Sequence, residues 1–243
     1  MRILLLGGTA EARALAARLD RDGRVDLTVS LAGATRTPAA LDGTMRVGGF
    51  GGEAAQAAYL RDGGFDAVID ATHPFAARIS RRTQAICARS GLPYVLLLRP
   101  AWEPEAGDDW RVAAVEADVA GKIGAASCVF LGTGPGSVEA IGPLPVDRVI
   151  CRRIDPPTRD YPHENGDWLV GRPPFSVEDE VAFFRAEGVD VVVTKNAGGQ
   201  GGRAKVEAAR VLGLPVVMVA RPEMPPGEVV ESVAAALDWV ERL

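Results

Sequence analysis

A glycine turn follows the first apolar run of the chain, where Gly7, Gly8 and Thr9 lead into Glu11 and a helical pattern. Free N–H groups and the dipole at a helix start favour an anion, and glycine lets a phosphate approach the backbone closely. The turn lacks the full GxGxxG spacing of a dinucleotide site. It therefore also fits an ordinary strand-to-helix turn with Thr9 as the N-cap.

The next predicted strand ends in a polar segment that runs from Ser30 to Thr37 and includes Arg36. An Asp or Glu here would bind the free ribose of NAD, whereas hydroxyls and a guanidinium favour the 2′-phosphate of NADP. A solvated loop arginine is the alternative for Arg36. The run Gly48-Gly49-Phe50-Gly51-Gly52 predicts a loop that passes close to a flat ligand, with a flexible hinge as its alternative.

Two later loops also carry candidate chemistry. His73 follows a buried strand and could donate a proton or bind a carboxylate, or it could simply cap its loop. The loop at 195–205 combines Lys195, Arg203 and Lys205 with four glycines just before a helix, which is suited to holding negative charge. Its spacing does not match a P-loop, and no nucleophilic or metal-ligating set stands out. The sequence thus indicates that a cofactor supplies the chemistry.

These residues require a scaffold of strands and helices in alternation. Short apolar runs that end in polar loops alternate with stretches of helical period, a pattern typical of an α/β protein with mostly parallel sheets. In the first half, this pattern predicts strands at 2–6, 27–31, 45–47, 67–70 and 94–98, and helices at 10–20, 53–62 and 79–90.

The second half repeats motifs of the first in the same order. The turn after the first strand returns as Leu131-Gly132-Thr133-Gly134, Gly91-Leu92-Pro93 returns as Gly213-Leu214-Pro215, and Arg99-Pro100 returns as Arg221-Pro222. We infer an internal duplication and expect two Rossmann-like domains, at 1–105 and 106–243. Residues 100–109 are then the linker, and the proline-rich stretch 155–174 is predicted to be a long loop.

Composition narrows the class of protein. The formal net charge of −5 argues against a nucleic-acid binder, and three scattered cysteines without metal-ligand spacing indicate a reducing cytoplasm. The start MRILLLGG is too short for a signal peptide, and no apolar run is long enough for a bilayer. We expect no nucleic acid, membrane or metal partner. We also expect a monomer or weak homo-oligomer, although no exposed apolar stripe indicates the oligomeric state.

Taken together, LLLGGTAEA, GGFGG, IDATHPFA, RPAW, LGTG and TKNAGGQGGRAK resemble the precorrin-6A reductase family. The resemblance spans nearly the whole chain, and it implies two facing Rossmann-like domains and hydride transfer from NADPH to a carbon–carbon double bond of precorrin-6A, giving precorrin-6B. The expected cofactor contacts are Gly7, Gly8, Thr9, Glu11, Ser30, Arg36, Gly49, Gly51 and Thr72. The expected substrate contacts are Arg13, His73, Thr194, Lys195, Gly198, Gly199 and Lys205.

Within that set, His73 and Lys195 are the catalytic candidates, and a water molecule is an equal alternative as proton donor. The resemblance leaves open whether the macrocycle already contains cobalt. Two rival functions remain at this point. One is a methyltransferase of the same pathway, and the other is a dinucleotide-sensing module whose cationic loops contact a partner.

Overall fold

The computed structural model describes residues 1–33 and 42–243, and it contains two parallel six-stranded sheets flanked by helices. The prediction of an α/β protein with two Rossmann-like units is confirmed. Each sheet belongs to its own compact unit, one formed by Met1–Pro100 with Pro222–Leu243 and the other by Ala101–Arg221.

The first unit has the strand order β3-β2-β1-β4-β5-β12, with every neighbouring pair parallel. Its strands are β1 (Arg2–Leu6), β2 (Asp26–Leu31), β3 (Thr44–Val47), β4 (Ala67–Asp70), β5 (Tyr94–Leu97) and β12 (Glu228–Val230). Its helices are α1 (Ala10–Leu19), α2 (Glu53–Asp62), α3 (Ala77–Ser90) and α7 (Val233–Glu241).

The second unit has the equivalent order β9-β8-β7-β10-β11-β6, again all parallel. Its strands are β6 (Trp110–Ala113), β7 (Cys128–Leu131), β8 (Arg148–Arg153), β9 (Gly166–Val170), β10 (Val191–Lys195) and β11 (Val216–Val219). Its α-helices are α4 (Val138–Ile141), α5 (Val177–Glu187) and α6 (Ala204–Leu212), and short 3-10 segments occupy Glu116–Gly121 and Pro135–Ser137.

Local sequence explains why the elements form where they do. The inner strands β1, β4, β7 and β10 consist mainly of buried apolar residues, as expected for a parallel sheet covered on both faces. Helices α3 and α6 both end at a glycine in the left-handed conformation, Gly91 at φ 68° and Gly213 at φ 65°. A side chain is disfavoured there, so the repeated Gly-Leu-Pro stops both helices at equivalent points.

The sixth strand of each sheet comes from the other half of the chain. β6 follows β5 in sequence but pairs with β11, whereas β12 follows β11 but pairs with β5. The second domain predicted at 106–243 therefore needs correction, because residues 222–243 belong to the first unit. Trp239 and Val240 of α7 are buried in the first unit's core beside Leu15 and Leu19 of α1. This exchange is a tertiary effect that local patterns do not encode.

The proline-rich stretch 155–174 is only partly a loop. Gly166–Val170 forms the edge strand β9, paired in parallel with β8, so the prediction of an uninterrupted loop was wrong. An edge strand has a neighbouring strand on one side only and needs little apolar patterning. This explains why the sequence of β9 did not indicate a strand.

Candidate functional site

The glycine turn after β1 opens a helix and leaves space above its backbone. The Thr9 hydroxyl accepts a hydrogen bond from the Ala12 N–H at 3.1 Å and donates one to the Ala71 carbonyl at 2.8 Å. Gly8 lies at φ 131°, and a Cβ placed on it would meet no atom within 4 Å. The turn therefore presents open backbone at the start of α1, a ten-residue helix, which is the geometry that binds phosphate.

An arginine that the sequence analysis did not select lies beside this turn. Arg46 on β3 donates to the Ser30 hydroxyl at 3.1 Å and to the carbonyls of Gly48 and Gly49 at 2.6 and 2.7 Å. Its guanidinium carbon lies 4.0 Å from the centre of the Phe50 ring. The GGFGG segment is thus held around a cation at the carboxyl ends of β2 and β3.

The loop after β4 is fixed by a buried carboxylate. Asp70 is fully buried and accepts hydrogen bonds from the Thr72 N–H at 3.0 Å, the Thr72 hydroxyl at 2.7 Å and the Tyr94 hydroxyl at 2.9 Å. Burial, with the nearby negative charge of Asp70, raises the pKa of Tyr94 well above its usual range. The tyrosine therefore stays a donor that holds the loop in place.

His73 is exposed on this same loop. Its Nδ1 accepts a hydrogen bond from the Phe75 N–H at 3.3 Å, and the two rings lie 5.8 Å apart. A neutral ring that accepts at Nδ1 carries its proton on Nε2. The Nδ1 atom of His73 is therefore engaged within its own loop.

Two charged residues of α1 have different environments. Glu11 forms a partly buried ion pair with Arg99, at 2.7 Å, which joins the first turn of α1 to the end of β5. Arg13 is exposed on the helix surface. Because its carboxylate is already engaged by Arg99, Glu11 positions the start of α1.

In the second unit, Lys195 lies at the end of β10 and pairs with Glu116 at 3.2 Å. The Ser137 hydroxyl also approaches Glu116, at 3.4 Å. Burial raises the pKa of Glu116, but the hydrogen bond and the charge of Lys195 outweigh it and lower the pKa overall. Lys195 is thus a partly buried ammonium held in place by a carboxylate. Thr194, in contrast, is 1% exposed and belongs to the interior.

The glycine-rich loop after β10 is anchored from two sides. The Asn196 side chain accepts from the Trp102 N–H at 2.8 Å and donates to the Trp102 carbonyl at 2.9 Å. The Trp102 indole donates to the Gly199 carbonyl at 2.8 Å, and Arg221 donates to the carbonyls of Asn196 and Ala197. These contacts fix the loop that contains Gly198.

The residues 101–109, predicted as a plain linker, pack against α6 of the second unit. Asp108 forms two hydrogen bonds with Arg210, at 2.9 and 3.0 Å, and Glu105 pairs with both Arg203 and Arg210. Burial opposes ionisation of Asp108, yet the contacts with Arg210 lower its pKa overall. This segment is therefore an ordered strap that supports the glycine-rich loop.

Buried charge lies near the start of α6. Glu180 of α5, 3% exposed, accepts two hydrogen bonds from Arg152 at 2.5 and 2.8 Å. The Lys205 ammonium donates to the Gly202 carbonyl at 2.8 Å. Burial lowers the pKa of Lys205 to about 8, with Glu180 opposing and Arg152 reinforcing the shift.

The two sets of predicted residues fall largely into separate units. The described cofactor candidates gather at the carboxyl ends of the first sheet, while Lys195, Gly198, Gly199 and Lys205 lie at the same ends of the second sheet. Arg36 lies outside the described residues. Sequence reasoning missed Arg46, Glu116 and the anchoring roles of Asn196 and Trp102. For Arg46, the one available signal was its closeness in sequence to the GGFGG segment.

Other kinds of chemistry find little support in the described part of the chain. Residues 1–33 and 42–243 contain no group of three or more His, Cys, Asp or Glu residues placed to hold a metal ion. Burial raises the pKa of both Cys87 and Cys151 to about 12, so neither is a thiolate nucleophile at neutral pH. No helix among these residues is both long and apolar enough to span a membrane.

Comparison with known proteins agrees with this arrangement. A family model described as precorrin-6x reductase CbiJ/CobK matches residues 2–241. A precorrin-6A reductase of Rhodococcus erythropolis is 45% identical, covering 100% of this chain and 98% of the relative. One from Mycobacterium tuberculosis is 42% identical over the same shares of the two chains. A solved structure titled CobK precorrin-6A reductase has a TM-score of 0.91 at 38% identity and covers 99% of this chain and 96% of its own. The chain therefore belongs to the precorrin-6x reductase family.

Proposed function

We propose that this chain is an NADPH-dependent precorrin-6A reductase that produces precorrin-6B in cobalamin biosynthesis. The relatives described above carry the name precorrin-6A reductase, and the proposal extends that activity to this chain. It includes a cytoplasmic location, in keeping with three buried free cysteines, and a monomer or weak homo-oligomer.

The observation that carries the proposal is the contrast between the two glycine turns. The first opens the ten-residue helix α1, and the space beside Gly8 is empty. The second leads into a three-residue 3-10 segment and a four-residue helix. A Cβ on its Gly132 would lie 2.8 Å from the Lys205 side chain, although Gly134 of that turn is as open as Gly8. Only the first opens a long helix, whose free N–H groups and dipole a pyrophosphate requires, so the residues of the first unit fit NADPH.

We assign the cofactor to the carboxyl ends of the first sheet. Gly7, Gly8 and Thr9 would hold the pyrophosphate, while Ser30 would face the adenosine ribose, because the end of the second strand meets that group in this fold. When bound, NADPH supplies a hydride for one carbon–carbon double bond of the substrate. The other residues of the proposed cofactor site are Glu11, Arg36, Gly49, Gly51 and Thr72, of which Glu11 acts by positioning α1.

The substrate is a macrocycle with several carboxylates, which explains cationic loops on a chain of net charge −5. We propose that the Lys195 ammonium binds one of these carboxylates, with the backbone of Gly198 and Gly199 close to the ring. Arg13, His73 and Lys205 complete the proposed contacts. Because Thr194 is buried, we propose that it supports the strand end beneath Lys195.

A proton must accompany the hydride. His73 is the proposed donor because an imidazole can be protonated near neutral pH and its loop is fixed through Asp70 and Thr72. General acid catalysis by a positioned side chain contributes about 10²- to 10⁴-fold. Replacing His73 by Gln should lower kcat by that order if His73 is the donor, whereas a water donor would leave kcat nearly unchanged.

The decisive experiment follows nicotinamide absorbance anaerobically after mixing the protein with precorrin-6A and NADPH or NADH. We expect oxidation of NADPH that depends on the macrocycle and is slower with NADH. Lys195→Gln should weaken precorrin-6A binding about tenfold, because a charge-assisted hydrogen bond contributes ~1.5–3 kcal/mol. NADPH binding should stay unchanged. Lys122→Gln, which removes an exposed lysine of the same unit, is the matched control.

Other outcomes distinguish the alternatives. Turnover only with the cobalt-containing macrocycle would assign the chain to the early-cobalt branch. Tight NADPH binding without turnover of either macrocycle would favour the dinucleotide-sensing module. The methyltransferase is set aside because the chain belongs to a reductase family.

A further inference from the structure

Arg46 carries a positive charge that its described neighbours do not neutralise. Its hydrogen bonds go to the Ser30 hydroxyl and to the carbonyls of Gly48 and Gly49, all neutral acceptors. No Asp or Glu in residues 1–33 and 42–243 forms an ion pair with it. Arg99 of the same unit pairs with Glu11. Arg46 is therefore placed to receive an anion from outside the chain.

Aromatic rings hold the guanidinium in place. Its carbon lies 4.0 Å from the centre of the Phe50 ring and 5.2 Å from that of Tyr59. A guanidinium stacked on a ring and bonded to two carbonyls loses little further freedom when an anion binds. The side chain is also only partly exposed, so its charge is less screened than that of a surface arginine. The restricted side chain and its partial burial both raise the affinity of Arg46 for a doubly charged anion.

The place of Arg46 in the fold indicates which anion it receives. Ser30 pairs in register with Leu6 of β1, the residue just before the glycine turn. In the dinucleotide fold, the end of the second strand meets the adenosine ribose, where an acidic residue selects NAD and an arginine accommodates a 2′-phosphate. Here the hydroxyl of Ser30, a buried residue, and the Arg46 guanidinium occupy that place.

We infer that Arg46 binds the 2′-phosphate and sets the preference for NADPH over NADH. This inference rests on the proposed function. It assigns to Arg46 the 2′-phosphate contact that the sequence analysis had predicted for Arg36. A charge-assisted, two-pronged contact to phosphate is specific to the phosphorylated cofactor. The unphosphorylated ribose of NADH would gain nothing from it.

The test measures the dissociation constants of NADP⁺ and NAD⁺ by calorimetry for the wild type and Arg46→Gln. We expect NADP⁺ binding to weaken about 10- to 100-fold, while NAD⁺ binding changes less than about twofold. Arg61→Gln is the matched control, since it removes one exposed positive charge from the same unit. It should leave both constants unchanged.

Each contrary result has its own meaning. Equal weakening of NADP⁺ and NAD⁺ would show that Arg46 only shapes the Gly48-Gly49 loop, and unchanged constants in a wild type that prefers NADP⁺ would also overturn the inference. A wild type that binds neither dinucleotide would overturn the proposed function itself. If Arg46→Gln does not fold, Arg46→Lys replaces it, with an expected loss of about three- to tenfold for NADP⁺ alone.

Discussion

The two units share one strand order but differ in how they use the same helix positions. Gln56 is the fourth residue of α2, and it donates to Thr83 of α3 at 2.7 Å and accepts from the Arg82 guanidinium at 2.6 Å. The fourth residue of α5 is Glu180, which binds Arg152. When α3 and α6 are aligned at the glycines that end them, Thr83 corresponds to Lys205. A buried neutral amide in the first unit thus corresponds to a buried carboxylate in the second.

This difference shows that duplication of a fold does not duplicate its site. In the first unit, the turn opens a ten-residue helix, the buried side chain between α2 and α3 is a neutral amide, and Arg46 keeps an uncompensated charge. In the second unit, Arg152 is already neutralised by Glu180, and the Lys205 side chain lies against Gly132. Under the proposed function, the cationic loops of the second unit hold the polycarboxylate substrate and not the dinucleotide.

The exchanged segments give the sharpest way to test the division into units. Trp239, 4% exposed, lies in the first unit's core although it follows the whole second unit in sequence. Trp239→Ala should lower the free energy of unfolding by ~3–5 kcal/mol. Hydrogen exchange should speed up in β5 and β12 and stay unchanged in β7 and β10. Trp102→Ala, in the second unit's core, should produce the reverse pattern, and identical patterns for both variants would contradict the division.

Removing the charged contact should cost more than removing its neutral counterpart. Glu180→Leu leaves the Arg152 guanidinium buried without a carboxylate, so we expect a loss of ~3–5 kcal/mol in unfolding free energy. Gln56→Leu should cost only ~1–3 kcal/mol, because a neutral amide is lost and the partly exposed Arg82 guanidinium can be hydrated instead. Urea denaturation measures both. Equal losses would mean that the two helix interfaces are energetically alike despite their different chemistry.

Lys205 should make stability depend on pH in a way that the first unit does not. Its pKa is about 8 in the folded protein and near the ordinary 10.5 in the unfolded chain. Below pH 8 both states are protonated, and the enclosed charge is unfavourable. Between these pKa values the folded state loses its proton while the unfolded state keeps it, so stability rises with pH.

The measurement compares the wild type with Lys205→Met by urea denaturation from neutral pH to about pH 10. The variant should be the more stable at neutral pH by up to ~3 kcal/mol, since each pKa unit corresponds to ~1.4 kcal/mol. The difference in unfolding free energy between the two proteins should shrink as the pH rises. A gap that stays constant would show that burial does not perturb the Lys205 ammonium.

The smallest expected effect separates the two glycine turns. The Thr9 hydroxyl caps α1 and binds Ala71, so Thr9→Val should cost ~1 kcal/mol. The Thr133 hydroxyl is buried without a hydrogen-bond partner in the described residues, so Thr133→Val should be neutral or slightly stabilising. Thermal unfolding of the two variants would show the difference. A comparable loss for Thr133→Val would indicate a partner for its hydroxyl.

Much of the fold could be predicted from the sequence because parallel strands leave a strong local signal. The predicted strands at 2–6 and 67–70 match β1 and β4, and the predicted helix at 53–62 matches α2. The exchange of β6 and β12 could not be predicted, because either strand could extend either sheet. A short strand such as Glu228–Val230 has no pattern that names its partner.

The candidate site was predictable only in part, for a related reason. Glycines and cations mark loops by their type, which identified the turn after β1 and the loop after Lys195. Arg46 has the sequence appearance of a solvated residue on an edge strand, and its significance arises from Ser30 and Phe50 folding around it. Burial of Thr194 likewise depends on neighbouring strands that a linear pattern does not specify.

The exchange of sixth strands also constrains how the chain is made. During vectorial synthesis, β5 leaves the ribosome with one edge unpaired, and β12 is translated only after the entire second unit. An open strand edge can pair with another nascent chain. The pairing of β5 with β12 joins residues far apart in the sequence, and such a high contact order slows folding. Completion of the first sheet is therefore a late event, possible only after the second unit has been synthesised.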